Sequence, residues 1–286
     1  MNSVLAELQL LAAGAPADAE RALREDVGTG DLTASLVPAG THASARVIAR
    51  EPAVICGRPW ADATLQQVDG AIEARWLRGE GERCERDDVV LELRGPARSL
   101  LTAERTVLNF LQLLSAVATK TAAYVEAVRG TRAQIVDIRK TLPGLRMAQK
   151  YAVRVGGGTN HRIGLFDAVV IKENHIAAAG GVRAVLEAAK RVAAGAKFVE
   201  IEVERIAQLE EALGAGATMI LLDNMDLPTL REAVRVNAGR AVLEASGGVT
   251  LETVRALAET GVDRISIGAL TKDVKAIDFS MRFAGI

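Results

Sequence analysis

"FVEIEVERIAQLEEALGAGATMILLD", residues 198–223, changes its period twice. "FVEIEV" and "TMILLD" are short runs of aliphatic and β-branched residues, the length and composition of strands. Between them "IAQLEEALGAG" returns an apolar residue every three or four positions, the spacing of one helix face, and it stops at glycine, where helices commonly end. A strand, a helix and a second strand in one stretch predict a parallel crossover.

The same unit repeats on both sides. Upstream stand the strands "AQIVDI" (133–138) and "DAVVIK" (167–172), with helices at "LRMAQKYAVRV" (145–155) and "GVRAVLEAAKRVA" (181–193). Downstream, "AVLEA" (241–245) and "DRISI" (263–267) alternate with the helical patterns 227–239 and 251–261. The strands lack clean polar alternation, as expected where both faces are covered. Six strands fit in about 145 residues. A full eight-stranded barrel takes roughly 200 or more, so the pattern predicts a reduced barrel or an open parallel sheet.

Residues 1 to about 98 read as a separate α+β region. An amphipathic helix comes first, then short strands at "ARVIAR" (45–50), "AIEARWL" (71–77) and "DVVLELRG" (88–95), with a helix at "GRPWADATLQQV" (57–68). The segment 99–130 is helical by periodicity, with a break expected near Ser115, and joins the two regions.

The 286 residues suffice for two domains, and 49% hydrophobic with 25% charged residues is an ordinary globular profile. The net charge of −1 argues against a nucleic-acid-binding surface. The balance is uneven along the chain: Arg139, Lys140, Arg146, Lys150, Arg154, Arg162 and Lys172 face only Asp137 and Asp167 over the same span. A local basic cluster suits a small anionic ligand. Arg146, Lys150 and Arg154 recur at four-residue spacing and read as a solvated helix face. Cys56 and Cys84 form no metal or redox pattern. The first basic residue is Arg21, so the N-terminus does not read as a signal peptide, and no apolar run reaches transmembrane length. The expected location is the cytoplasm, with no membrane partner.

The residues at the strand ends carry the chemistry. Arg139 and Lys140 follow "IVDI", Lys172 ends "AVVIK", Glu202 lies late in "FVEIEV", and Asp223 ends "MILLD". "AVLEA" runs into Ser246-Gly247-Gly248, and "ISI" into Gly268. Parallel folds gather these ends on one face, where ligands bind. The glycine-rich "GGGTNHRIG" adds His161 and Arg162, with a satisfied loop histidine as the lesser alternative for His161. Such cations point to a substrate with several negative charges. "SGG" and "GAL", expected to precede helices, resemble backbone-amide phosphate cradles. Glu202 and Asp223 suit Mg²⁺, ribose hydroxyls or a developing cation. Of Glu200 and Glu202, two apart on one strand face, one is expected to be structural.

Taken together, "REDVGTGDLTA", "LTAERTVLNFLQLLSAVAT", "RKTLPGLRMAQKYAV", "GGGTNHRIGLFDAVVIKENH", "EIEVE", "LLDNM", "EASGGV" and "VDRISIGALT" resemble the quinolinate phosphoribosyltransferase family nearly end to end. The resemblance implies an N-terminal α/β sandwich domain over 1–115, with 275–286 packing back on it. It implies an irregular α/β barrel of six or seven parallel strands over 116–274. It implies conversion of quinolinate and phosphoribosyl pyrophosphate, with Mg²⁺, to nicotinate mononucleotide, pyrophosphate and CO₂. A dimer, or a hexamer built of dimers, is implied too, with Arg105 completing the neighbour's site. Arg139, His161, Arg162 and Lys172 match quinolinate-binding positions, and Lys140 a lysine beside the reacting centre. Glu202 and Asp223 match the acidic pair on the ribose and metal side. Ser246, Gly247, Gly248, Gly268 and Ala269 match the 5′-phosphate loops, and Ile138 and Ile267 complete the expected lining. Lys140, Lys172, Glu202 and Asp223 are the expected catalytic set. Two positions depart from the family pattern: Ile138 replaces a threonine, and Phe166 a small residue.

Overall fold

The computed structural model describes residues 2–284. Residues 1, 285 and 286 of the expected domain ranges lie outside the described residues. Two compact units form. One takes the chain up to Ala122, then Thr141–Gly157 and the residues from Thr271 on; the other takes Ala123–Lys140 and Gly158–Leu270. Among the described residues no helix is long and apolar enough to cross a membrane.

The first unit is built on a four-stranded antiparallel sheet in the spatial order Phe279–Ala284, His42–Ala49, Val89–Pro96, Glu73–Trp76. The strand His42–Ala49 turns Ala43, Ala45, Val47 and Ala49 to one side, and all four are buried. They meet Leu91 and Leu93 of the next strand and Leu100, Ala103, Val107 and Leu111 of the helix Ala97–Ala127. The alanines keep the sheet surface low enough for that helix to pack closely. Each large side chain buried here contributes about 1.5–3 kcal/mol. The C-terminal strand brings Phe279 and Met281 into the same core, with Met281 opposite Val47.

The helix Ala97–Ala127 runs unbroken, against the break expected near Ser115. Ser115 is fully buried, and its hydroxyl accepts from the Cys56 N–H at 3.0 Å and donates to the Cys56 carbonyl at 3.1 Å. The polar residue satisfies a neighbouring backbone and does not interrupt its own helix. The solvated stripe is also corrected. Along the helix Arg146–Val155, Lys150 is fully buried, and Arg154 keeps 17% of its side chain exposed while pairing with Glu7 at 3.0 Å. Periodicity tells which residues share a face, not whether that face meets water. Here Ala148 through Val153 are all buried, so the helix is covered on nearly every side.

The second unit holds six parallel strands in the order Gln134–Val136, Arg264–Ser266, Val242–Ser246, Met219–Asp223, Val199–Val203, Val169–Ile171. The first and last of that order are consecutive in the sequence, as in a barrel left open at one seam. Thr159 lies at the Gln134–Val136 edge, bridging Val136 in parallel, with its N–H donating to the Ile135 carbonyl at 2.8 Å. Both faces of the sheet are covered, as the unalternating strands imply: Met219 through Leu222 are buried without a break. One face carries Ile201, Val203, Ile220, Leu222, Leu243, Ala245 and Ile265, all buried. The other carries Glu200, Glu202, Asp223, Glu244, Ser246, Arg264 and Ser266 among the apolar Met219, Leu221 and Val136.

Candidate active site

Six parallel strands deliver their C-terminal ends to one rim. Val136 leads to Ile138, Arg139 and Lys140, and Ile171 leads to Lys172. Asp223 and Ser246 end their strands in register with each other, and Ser266 leads to Ile267, Gly268 and Ala269. The strand-end residues expected from the sequence therefore share one rim. Arg105 belongs to the other unit and is exposed on the helix Ala97–Ala127.

Lys172 is not buried. Its side chain is 54% exposed, and it stands in extended conformation just before the helix Glu173–Ala179. Its Nζ donates to Glu202 Oε2 at 3.0 Å, and Glu202 is only 14% exposed. Burial and then the Glu202 charge hold the Asp223 carboxyl above its ordinary value, while Asn224 and Lys172 pull it down. Two half-sheltered carboxylates thus share one lysine, an arrangement that a further cation would relieve.

The basic side is built on the loop that follows Thr159. The His161 N–H donates to Asp137 Oδ1 at 2.8 Å, and Asn160 Nδ2 donates to Asp137 Oδ2 at 2.7 Å. The Arg162 N–H donates to His161 Nδ1 at 2.8 Å, and Arg162 Nη1 to the Ala168 carbonyl at 3.2 Å. Burial, then the charge of Arg139, lowers the Arg162 pKa, so two guanidiniums share one sheltered region. Asp167 closes the loop by accepting from the N–H groups of Ile163 and Gly164, each at 2.9 Å. Burial would raise its pKa, but those bonds and Lys197 outweigh it and the net shift is downward. Phe166 lies at the exposed tip, its ring over Gly164, where an added Cβ would meet it at 2.5 Å.

Inside the sheet lies a charged group in which Glu244 and Arg264, unnoticed in the sequence, join His161 and Glu200. His161 Nε2 is 2.9 Å from Glu200 Oε2 and 3.7 Å from Glu244 Oε1, and Arg264 Nε is 2.9 Å from Glu244 Oε2. Burial pushes Glu200 up to about 7 despite Arg264 and Arg162; burial and the Glu200 charge push Glu244 up to about 7. His161, Glu200 and Glu244 offer ligand atoms within 4.8 Å of one another. The donor chemistry does not suit a metal: His161 Nδ1 accepts a hydrogen bond, so the proton sits on Nε2, the atom a metal would need. The signals for this group were the alternation in "VEIEV" and the lone charges in "VLEAS" and "RIS".

The glycine loops are shaped by their neighbours. Gly247 (φ 110°) and Gly248 (φ 56°) adopt backbone conformations that side chains resist. A Cβ on Gly247 would fall 2.1 Å from Asn224 Oδ1, so the Asn224 amide lies across that loop. "GAL" runs directly into the helix Ala269–Lys272, whereas a turn separates "SGG" from the next helix, Val254–Ala258. Any anion held at "SGG" would meet loop amides, not a helix end. Gly268 packs against Ile138 and Lys140, which an added Cβ would approach to 3.1 and 3.4 Å. The Ile267 side chain is buried, and its N–H donates to the Val136 carbonyl at 2.9 Å.

Comparison with known proteins agrees across nearly the whole chain. Residues 31–115 match the quinolinate phosphoribosyl transferase N-terminal domain, and residues 117–282 match the C-terminal domain of the same family. A nicotinate-nucleotide pyrophosphorylase [carboxylating] of Mycobacterium leprae is 46% identical over 268 residues, covering 91% of this chain and 94% of its own. A probable nicotinate-nucleotide pyrophosphorylase [carboxylating] of Bacillus subtilis is 40% identical over 257 residues, covering 90% and 89%. The solved structure of the nicotinate-nucleotide pyrophosphorylase from Francisella tularensis superposes with a TM-score of 0.92 at 42% identity, covering 96% and 97%. With a charged rim on a six-stranded parallel sheet and both domain models matched, this chain belongs to the quinolinate phosphoribosyltransferase family.

Proposed function

We propose that this chain transfers the phosphoribosyl group of phosphoribosyl pyrophosphate to the ring nitrogen of quinolinate, with loss of pyrophosphate and CO₂. The product is nicotinate mononucleotide, on the de novo route to NAD. The observation that carries the reading is the division of one rim into two guanidiniums, Arg139 and Arg162, and the carboxylate–lysine group of Glu202, Asp223 and Lys172. Quinolinate has two carboxylates, and two planar guanidinium forks suit them.

In this reading Arg139, Arg162 and Lys172 hold the carboxylates and aim the ring nitrogen at the anomeric carbon. Ser246, the amides of Gly247 and Gly248, and the backbone at Gly268 and Ala269 take the 5′-phosphate. Glu202 and Asp223 face the ribose and stabilise positive charge as the bond to pyrophosphate breaks. The same two carboxylates fit Mg²⁺, which when bound neutralises charge on the departing pyrophosphate. Once the ring nitrogen is quaternary, the adjacent carboxylate leaves as CO₂. The carbanion left behind takes a proton, for which Lys140 and Lys172 are the rim donors. His161 supports this site through Arg162, because both its ring nitrogens have protein partners. A second copy of the chain would supply Arg105, and the reaction would take place in the cytoplasm.

The test is product formation from quinolinate, phosphoribosyl pyrophosphate and Mg²⁺, with nicotinate in a parallel tube. Nicotinate mononucleotide and CO₂ from the quinolinate tube alone are expected. Turnover with nicotinate alone would show that the second carboxylate has no partner here. Omitting Mg²⁺, with chelator present, should abolish turnover.

A further inference from the structure

Glu200 has no place on the rim, yet it is fully buried inside the sheet with its carboxylate on His161. Three hydrogen bonds fix the residues it supports. The His161 N–H is held by Asp137, the Arg162 N–H by His161 Nδ1, and the Arg162 guanidinium by the Ala168 carbonyl. The middle bond needs a bare Nδ1, which a neutral imidazole has only when its proton is on Nε2. Glu200 Oε2, at 2.9 Å, is the acceptor that keeps it there. With the proton on Nδ1, two donors would face each other at 2.8 Å and the Arg162 backbone would have to move. Glu244 Oε1 lies farther from Nε2, at 3.7 Å, and Phe198 meets the ring edge-to-face at 5.1 Å between centroids. The aromatic contact orients the ring but cannot choose its tautomer, and 3.7 Å is too long for a hydrogen bond.

We propose that Glu200 is a positioning residue, which sets the His161 tautomer and through it the placement of Arg162. The proposal rests on the reading that Arg162 holds a quinolinate carboxylate. A displacement of about 1 Å at such a group can cost roughly a hundredfold.

Steady-state kinetics of the full chain separates the possibilities, with quinolinate and phosphoribosyl pyrophosphate each varied at saturation of the other, for Glu200→Ala, Glu200→Gln and Arg162→Ala. Glu200→Ala should raise KM for quinolinate at least about tenfold, with KM for phosphoribosyl pyrophosphate unchanged. Glu200→Gln keeps a carbonyl acceptor and should stay within about threefold of wild type. The chain has three histidines, so ¹⁵N imidazole spectra are simple. His161 should show the Nε2–H form in wild type and Glu200→Gln, and lose it in Glu200→Ala. Unchanged quinolinate KM in a folded Glu200→Ala, or an equal rise in both KM values, overturns the proposal. So does an Nδ1–H or imidazolium spectrum in the wild type, which decides the matter even if Glu200→Ala does not fold. Failure of Arg162→Ala to raise the quinolinate KM would overturn the site reading itself. A large effect in Arg162→Ala with none in Glu200→Ala would overturn only the role of Glu200.

Discussion

The four-stranded sheet of the first unit and the six-stranded sheet of the second bury opposite chemistry. His42–Ala49 turns alanine and valine inward against leucines. Val199–Val203 has apolar residues on one side and Glu200 and Glu202 on the other, and Glu200 is as fully buried as any core leucine. Enclosing carboxylates and guanidiniums costs several kcal/mol per ion unless each is paired. A fold that needed only a core would have no reason to line a second sheet face with them. The difference separates a unit held together by apolar packing from one whose interior supports a site for anions and cations.

The sharpest way to break this contrast is to truncate a rim charge. Arg162→Ala should lower kcat/KM for quinolinate about a hundred- to a thousandfold, the range for losing one partner of a sheltered charge pair. Its melting temperature should hardly change, because the guanidinium packs little of the core. A loss below about threefold would mean that the basic side of the rim does not hold substrate. The first unit should behave in the reverse manner. Leu93 is fully buried against the long helix, so Leu93→Ala should cost about 2–5 kcal/mol in denaturant unfolding. Activity per folded molecule should stay within about twofold of wild type.

The interior carboxylates sharpen the contrast through pH. Glu244 is raised from its ordinary 4.5 to about 7 by burial first and then by Glu200. Its protonated form is favoured in the folded state, so its contribution is complete below about 4.5 and is lost as pH rises through about 7. Wild-type stability should therefore fall between pH 5 and 8 by up to about 3 kcal/mol more than that of Glu244→Gln, which carries no titrating proton there. Melting curves of both proteins over that range provide the comparison. Parallel curves would show that Glu244 is ionised in the fold across the whole interval.

Much of this arrangement was legible in the sequence because strand ends are local features. Six βα units, and the charges at the ends of "IVDI", "AVVI" and "MILLD", could be read from spacing alone. What could not be read depends on partners distant in the chain. Ser115 looked like a helix breaker because its partner, the Cys56 backbone, is 59 residues away. Lys150 looked solvated because nothing in a four-residue spacing tells whether a helix is covered on several sides. The position of Lys172 at a strand end could be read, but its pairing with Glu202, thirty residues away in the chain, could not. Glu244 and Arg264 stand in adjacent parallel strands, and only the register brings the two charges opposite each other.

The smallest expected effect belongs to the position where this chain departs from its family on the rim. Ile138 stands where the family resemblance implies a threonine, and its Cδ1 is the nearest neighbour that an added Gly268 Cβ would meet, at 3.1 Å. The isoleucine thus fills the space beside Gly268 by contact, with no hydrogen bond required of its side chain. Ile138→Thr removes the terminal Cδ1 of a half-buried side chain and puts a hydroxyl in place of Cγ1, so the packing loss should be about 1–2 kcal/mol. Quinolinate kcat/KM should change by less than about threefold, since Arg139 and Lys140 keep their backbone positions. A gain beyond tenfold would assign the hydroxyl a direct role at the rim and make the isoleucine a handicap. A loss of that size would mean that the apolar contact with Gly268 helps to place Lys140, whose Cδ shares it at 3.4 Å.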